Sequence, residues 1–256
     1  MPRLSFKFIV PVAALLSGIG AASASSDVSD RMTRTLALPP GAFITLQITV
    51  GDIRIAASDR KDVSLEVTRH APTKVLLEGI AVQVEETAEA LEVRAVQPED
   101  GRDPALRTDV ILSVPFAAAL REIAGFEGRM ELTDLRGECS ARLERGEIVG
   151  RNMSGMIRLE TAIGNITLEN ASPSPTGYIH LRTFNGDVAL GLASRPADAR
   201  ILALALGGKV TSDIPLTMRE RWGPRFGETT LGKGEPLISI DVVNGNIAIK
   251  APASAR

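Results

Sequence analysis

Five glycines fall nine residues apart, at Gly128, Gly137, Gly146, Gly155 and Gly164, and Gly177 and Gly186 resume the interval after a longer loop. Two residues after each stands Met130, Cys139, Ile148, Ile157, Ile166, Ile179 or Val188; four after it stands Leu132, Ala141, Gly150, Leu159, Leu168, Leu181 or Leu190. A spacing of two marks a strand with one buried face. Glycine takes positive φ without steric cost, so it belongs where a chain turns sharply between short strands. Each nine-residue unit is then one strand and one turn, too short to bury its apolar side alone, and successive units must stack. Two units make eighteen residues. That suits a flattened coil of two strands and two turns, since a three-sided coil needs longer arcs at about 3.3 Å per strand residue. The expected fold is all-β, an elongated single-domain β-solenoid of β-helix-like form. Handedness and strand direction stay open, because an antiparallel up-and-down sheet with tight turns has the same period.

Around this repeat the chain reads as one domain. Strands are expected at Phe43 to Val50, Gly51 to Ile55, Val63 to Val67, Ile80 to Val84, Leu91 to Val96 and Asp109 to Val114, forming a less regular β lobe over residues 25–118 that continues into the repeat region, 119–250. Ala117 to Leu120 is the one stretch read as a helical turn, Pro215 to Pro236 reads as a loop, and 251–256 as a flexible tail. Arg3 and Lys7 precede an apolar run from Phe8 to Ile19 that ends in Ala22-Ser23-Ala24, the pattern of a cleaved leader over residues 1–24. The run is shorter than the roughly 20 residues a spanning helix requires. The product is expected to be exported, periplasmic or at the cell surface, without a stable membrane span. Aromatic residues make up only 4% of the chain, in keeping with a core of Val, Ile and Leu layers.

Without Arg3 and Lys7 the 29 basic residues become 27 against 31 acidic ones, and the two signs alternate along the strands, so the charge offers no field for a nucleic acid. Cys139 is the only cysteine and occupies an apolar slot, which reads as a small buried hydrophobe. Metal and cofactor sites are not expected: His70 and His180 lie far apart, and the residues after the glycines, Arg129, Glu138, Glu147, Met156 and Asn165, offer no regular oxygen ligand for calcium. Gly227 to Lys233 has the glycine and lysine spacing of a phosphate loop, but Gly234 stands where Ser or Thr would hold magnesium, and a strand follows instead of a helix.

Hydrolysis of a polysaccharide would need paired carboxylates about 5–10 Å apart. The third positions after the glycines, Glu131, Ser140, Val149, Arg158, Thr167, His180 and Ala189, supply one acid. Glu160 with Glu169, or Arg142 with Arg151, are the pairs that neighbouring strands could bring together, and a solvated charge ladder explains them. Asn185-Gly186-Asp187 and Asn244-Gly245-Asn246 are tight-turn sequences, and Asn152, Asn165 and Asn170 sit in repeat turns. The candidate interaction loop holds Arg219, Arg221, Trp222, Arg225 and Phe226, combining the only Trp with three arginines. It reads either as a recognition loop or as an aromatic cap over the last coil.

Several segments together resemble a large bacterial family of exported β-strand-repeat proteins of unknown biochemical function, often labelled putative adhesins, with a toastrack-like β domain. They are Leu38 to Gly41 ahead of Gly51-Asp52-Ile53-Arg54-Ile55, the run from Gly128 to Leu168, Thr183 to Val188, Val210 to Pro215, and Val243 to Ile247. The resemblance spans most of the chain after the leader. It brings no shared catalytic motif and implies a cell-envelope or secreted scaffold. The expected function is a non-enzymatic interaction module with an envelope protein or glycan as partner. The chain departs from the pattern at Cys139-Ser140-Ala141, where looser packing is expected. A carbohydrate-active β-helix enzyme and a self-associating structural polymer are the alternatives.

Overall fold

The computed structural model describes residues 27–97, 103–220 and 224–252; the leader and the last four residues fall outside this range. The fold is all-β, with eighteen strands in one hydrogen-bonded network and one five-residue helix among the described residues. Its centre is built from β8 (Ala119–Thr133), β9 (Glu138–Arg151), β10 (Ser154–Ile163), β11 (Ile166–Asn185) and β12 (Val188–Leu192), all paired in parallel. Cys139 lies opposite Ile157, and Met130 opposite Ile148, which lies opposite Ile166. Each step is eighteen residues. The step lengthens to twenty-two at Ile157 to Ile179 and Ile166 to Val188, where β11 takes up the extra residues around Pro173 and Pro175.

Two parallel ladders result, joined through the long strands β8, β9 and β11. One carries Leu120, Cys139, Ile157 and Ile179 side by side, the other Met130, Ile148, Ile166 and Val188, and all eight are buried in the main core. Full burial of such a side chain contributes about 1.5–3 kcal/mol. Cys139 and Ala141 are buried as fully as their neighbours in the ladder.

At both ends the strands pair out of sequence order. β2 (Phe43–Val50) and β3 (Ile53–Ser58) lie between β8 on one side and β6 (Ala90–Val96) and β7 (Arg107–Pro115) on the other. Likewise β17 (Leu237–Asn244) and β18 (Ile247–Lys250) insert between β11 and β12 on one side and β13 (Ala199–Gly207) and β14 (Val210–Ser212) on the other. Antiparallel strands finish each end. β4 (Asp62–Ala71) pairs with β7 and carries β1 (Val28–Ala37), and β5 (Ala81–Glu86) pairs with β6. At the other end β16 (Arg225–Leu231) pairs with β13 and carries β15 (Thr217–Glu220).

Two local expectations are corrected. Pro215 to Pro236 is not a loop throughout but contains the β15–β16 pair, whose Arg- and Glu-rich strands lack β-branched apolar residues on both faces. Ala117 to Leu120 forms a turn and the start of β8, while the helix is α1 (Lys74–Glu78), capped by Thr73 Oγ1, which accepts a 3.3 Å hydrogen bond from the Leu76 amide. Its Leu77 joins Ala71, Ile80 and Leu106 in a small separate core.

The glycines fall into two columns. Gly51, Gly128, Gly146, Gly164, Gly186, Gly245 and Gly208 share φ values between +130° and +151°. A methyl group on Gly146 would stand 1.8 Å from the Gly128 carbonyl oxygen, and the others in the column meet similar obstacles. Gly137, Gly155 and Gly177 form the second column, with Gly155 at φ +105° and a methyl on it 2.4 Å from the Gly137 oxygen.

Beside the first column, Asp109 Oδ1 accepts from the Asp52 amide at 2.8 Å and Asp52 Oδ1 from the Arg129 amide at 3.0 Å. Further along, Asn165, Asp187 and Asn246 do the same for the amides of Asp187, Asn246 and Lys209. At the opposite turn Asn170 Nδ2 donates to Asn152 Oδ1 at 2.7 Å, and Asn152 Nδ2 to Asp134 Oδ1 at 2.9 Å; all three residues have positive φ. Gly146→Ala is expected to destabilise the protein by about 3 kcal/mol in urea unfolding. Gly191→Ala, whose methyl finds nothing closer than 3.7 Å, is expected to stay within about 0.5 kcal/mol of the parent.

The small core is tied to β1 through Arg69. Its guanidinium pairs with both Asp30 oxygens and donates to the Ile80 carbonyl at 2.6 Å. The Arg69 hydrogen bond holds the Asp30 carboxyl below its ordinary 3.8. The unfolded chain therefore binds a proton at Asp30 more readily than the folded one as pH falls. The pair's contribution is complete above the unfolded value and is lost as pH drops through the lower folded one. Thermal unfolding is expected to show Asp30→Asn less stable than the parent at neutral pH, the gap closing once acid protonates Asp30 in the folded state.

Candidate functional site

Of the proposed interaction loop, Arg219, Arg225 and Phe226 are described, whereas Arg221 and Trp222 lie outside the described residues. Arg219 of β15 faces Phe226 of β16 and forms an ion pair with Glu228. Phe226 in turn faces Leu204 of β13, and Arg225 faces Ala205. Apolar cover near this end comes from Ile214, fully buried, and Leu216, packed on the same core.

The outward side chains divide between the ladders. Glu131, Val149, Thr167 and Ala189 belong to one, with Val149 itself buried; Ser140, Arg158 and His180 belong to the other. The two pairs of like charges are not brought together, because each pair is split between ladders. Glu160 lies between Arg142 and Arg182 in the register and ion-pairs with Arg158 at 2.7 Å. Arg151 instead pairs with Glu169 at 3.2 Å. Alternating sign across adjacent strands is the arrangement that cross-strand electrostatics favours.

The histidines are equally separate. His70 Nε2 lies 3.3 Å from Asp109 Oδ2, beside Arg107, and His180 Nε2 lies 3.9 Å from Asp241 Oδ2, beyond hydrogen-bond reach. No group of three metal-ligating side chains occurs among the described residues. In the segment resembling a phosphate loop, the Lys233 amide donates to Asp198 Oδ1 at 2.7 Å, so that amide is already engaged by a carboxylate.

The surface offers two open hollows of about 530 Å³ that the sequence did not announce. One runs over Thr167, Ala189, Ala248 and Thr211, four adjacent rungs whose small side chains leave room beside the Asn165, Asp187 and Asn246 ladder. The small third-position residues were a legible signal; their alignment required the pairing order. The other hollow lies where irregular segments from three parts of the chain meet, walled by Pro173, Pro175, Pro196 and Pro236.

Cys139 is 1% exposed, and loss of hydration, with Glu138 nearby, pushes its thiol up to about 12. A neutral, enclosed thiol is a packing group without nucleophilic character. A disulfide reagent at pH 8 is expected to leave the native protein unmodified and to titrate one thiol after denaturation in guanidinium chloride.

With the geometry established, structural likeness places the chain among known folds. A putative cell adhesion protein from Clostridium sporogenes ATCC 15579 superposes with a TM-score of 0.51, covering 88% of this chain and 100% of its own, at 14% identity. The fold is that of the bacterial putative adhesins. A putative adhesin from Bacteroides fragilis NCTC 9343 covers 86% of this chain and 97% of its own at 14% identity, with a TM-score of 0.40. Neither a family model nor a curated protein sequence matches the chain. At 14% identity no residue role carries over from these structures to this chain. No helix among the described residues is long and apolar enough to cross a membrane.

Proposed function

We propose that this chain is an exported, non-enzymatic interaction module of the cell envelope, an adhesion-type scaffold whose two parallel ladders are the sides of a flattened β-solenoid. The observation that carries the reading is the disposition of the outward charges: Glu160, Glu169 and Glu131 each sit against an arginine, and an array neutralised in this way suits a display surface better than acid–base chemistry. The cell adhesion description of the Clostridium structure agrees with it. The leader over residues 1–24 would direct export, and the partner would be an envelope protein or a glycan. The segment from Arg219 to Phe226, which includes Trp222, is the proposed contact.

Cross-linking the exported protein in intact cells and identifying the adducts by mass spectrometry tests this reading. Specific protein or glycan adducts that disappear in Trp222→Ala, with the melting temperature unchanged, are the expected result. Absence of any hetero-adduct from intact cells would remove the interaction reading; loss of stability in Trp222→Ala would make that residue a cap.

A further inference from the structure

The outer face of the ladder that contains β13 changes character at its C-terminal end. From β8 to β10 it is covered by ion pairs such as Arg121 with Glu138, Arg142 with Glu144 and Arg158 with Glu160. On β13 it becomes apolar: Ile201, Ala203 and Ala205 fill the core, while Leu202, Leu204 and Leu206 point the other way. A strand apolar on both faces is the pattern of one covered on both. Register extends the surface. Phe184, Val243 and Leu206 follow the paired residues Thr183, Val242 and Ala205, and so stand side by side on β11, β17 and β13; Leu204 meets Phe226 on the next strand. Phe184 is 54% and Leu206 46% exposed. The rings of Phe43 and Phe116 each lie under an arginine, but none lies over Phe184 among the described residues.

The rim indicates what covers this face. Arg182 and Asp241 are register partners, and Asp241 lies directly opposite Leu204 on β13. The Arg182 guanidinium has no ion pair among the described residues, and Asp241 has only His180 at 3.9 Å and a 3.4 Å hydrogen bond from Ser239. An arginine without an ion pair and a carboxylate held only by these long contacts, side by side at an apolar patch, are self-complementary under a two-fold rotation, which sets the arginine of each copy against the acid of the other. A flat, pleated apolar surface packs best on another of its kind. Beside Phe184 lies a hollow of about 270 Å³ lined by Ala162 and by the charged side chains of Arg142, Glu160 and Arg182.

We propose that this face is the contact through which two copies of the chain pack sheet on sheet, as a closed two-fold dimer. Sedimentation velocity of the purified exported protein over a range of concentrations is expected to show a monomer–dimer equilibrium. Leu204→Glu is expected to weaken the dimer about ten-fold or more, with the melting temperature retained. Arg182→Asp and Asp241→Arg are each expected to weaken it, and the double reversal to restore it, a result that does not depend on how Leu204→Glu folds. A monomer at every concentration, growth beyond the dimer, or a dimer indifferent to the charge reversals would each overturn the proposal. None of these results bears on the envelope partner, which the cross-linking reads separately.

Discussion

The structure depends on how closely neighbouring backbones approach at one corner of every rung. In the column from Gly51 to Gly208 each glycine lies against the carbonyl of the one before it, in a region of φ that side-chain-bearing residues rarely adopt. That contact sets the bend of the chain and the spacing of the ladders together. β8, β9 and β11 run through the corner without leaving the hydrogen-bonded network, so one continuous strand serves both ladders. The apolar residues two and four places beyond the glycine are thereby delivered to the same side of every rung. Hydrophobic burial supplies the stability, but the glycine column decides that the buried faces coincide.

Polar side chains keep this stacking in register. An Asx oxygen that accepts from the amide of the next rung works only when the rungs are aligned, because a slip by one residue would remove the acceptor and turn the apolar residues outward. Asn165, Asp187 and Asn246 do this near the C-terminal end, Asp109 and Asp52 near the N-terminal end. Between them, at Arg129 and Glu147, the ladder changes to an ion pair at 2.5 Å. The same row of the sheet is thus held by directional bonds at its ends and by charge at its middle.

How much of this could be read from the sequence varies with the range of the interaction. Glycine spacing and the apolar residues at fixed offsets from Gly128 to Gly186 are local, and they made the strands and their buried faces legible. Pairing order is not local: β2 and β17 alternate like any other strand, and nothing within them tells that they insert between strands distant in sequence. The β15–β16 pair was missed because Thr217 to Glu220 lacks the β-branched alternation of the others, and α1 because five residues carry little periodicity. Leu202, Leu204 and Leu206 looked ordinary in sequence. Only the register that places Phe184 and Val243 beside them distinguishes an unusual surface from a normal strand.

The out-of-order ends limit how such a chain can change in length. Where rungs follow sequence order, as from β8 to β11, a duplicated eighteen-residue segment adds one rung with the same neighbours on either side. At the C-terminal end this is impossible, because the outer strands β13 and β14 are made before their inner neighbours β17 and β18, which must slot between strands already placed. A rung added after Lys250 would meet β13 and β14 already in position. The ordered middle can therefore lengthen by whole rungs, whereas β17 and β18 act as a clasp that closes the stack on the β13 side.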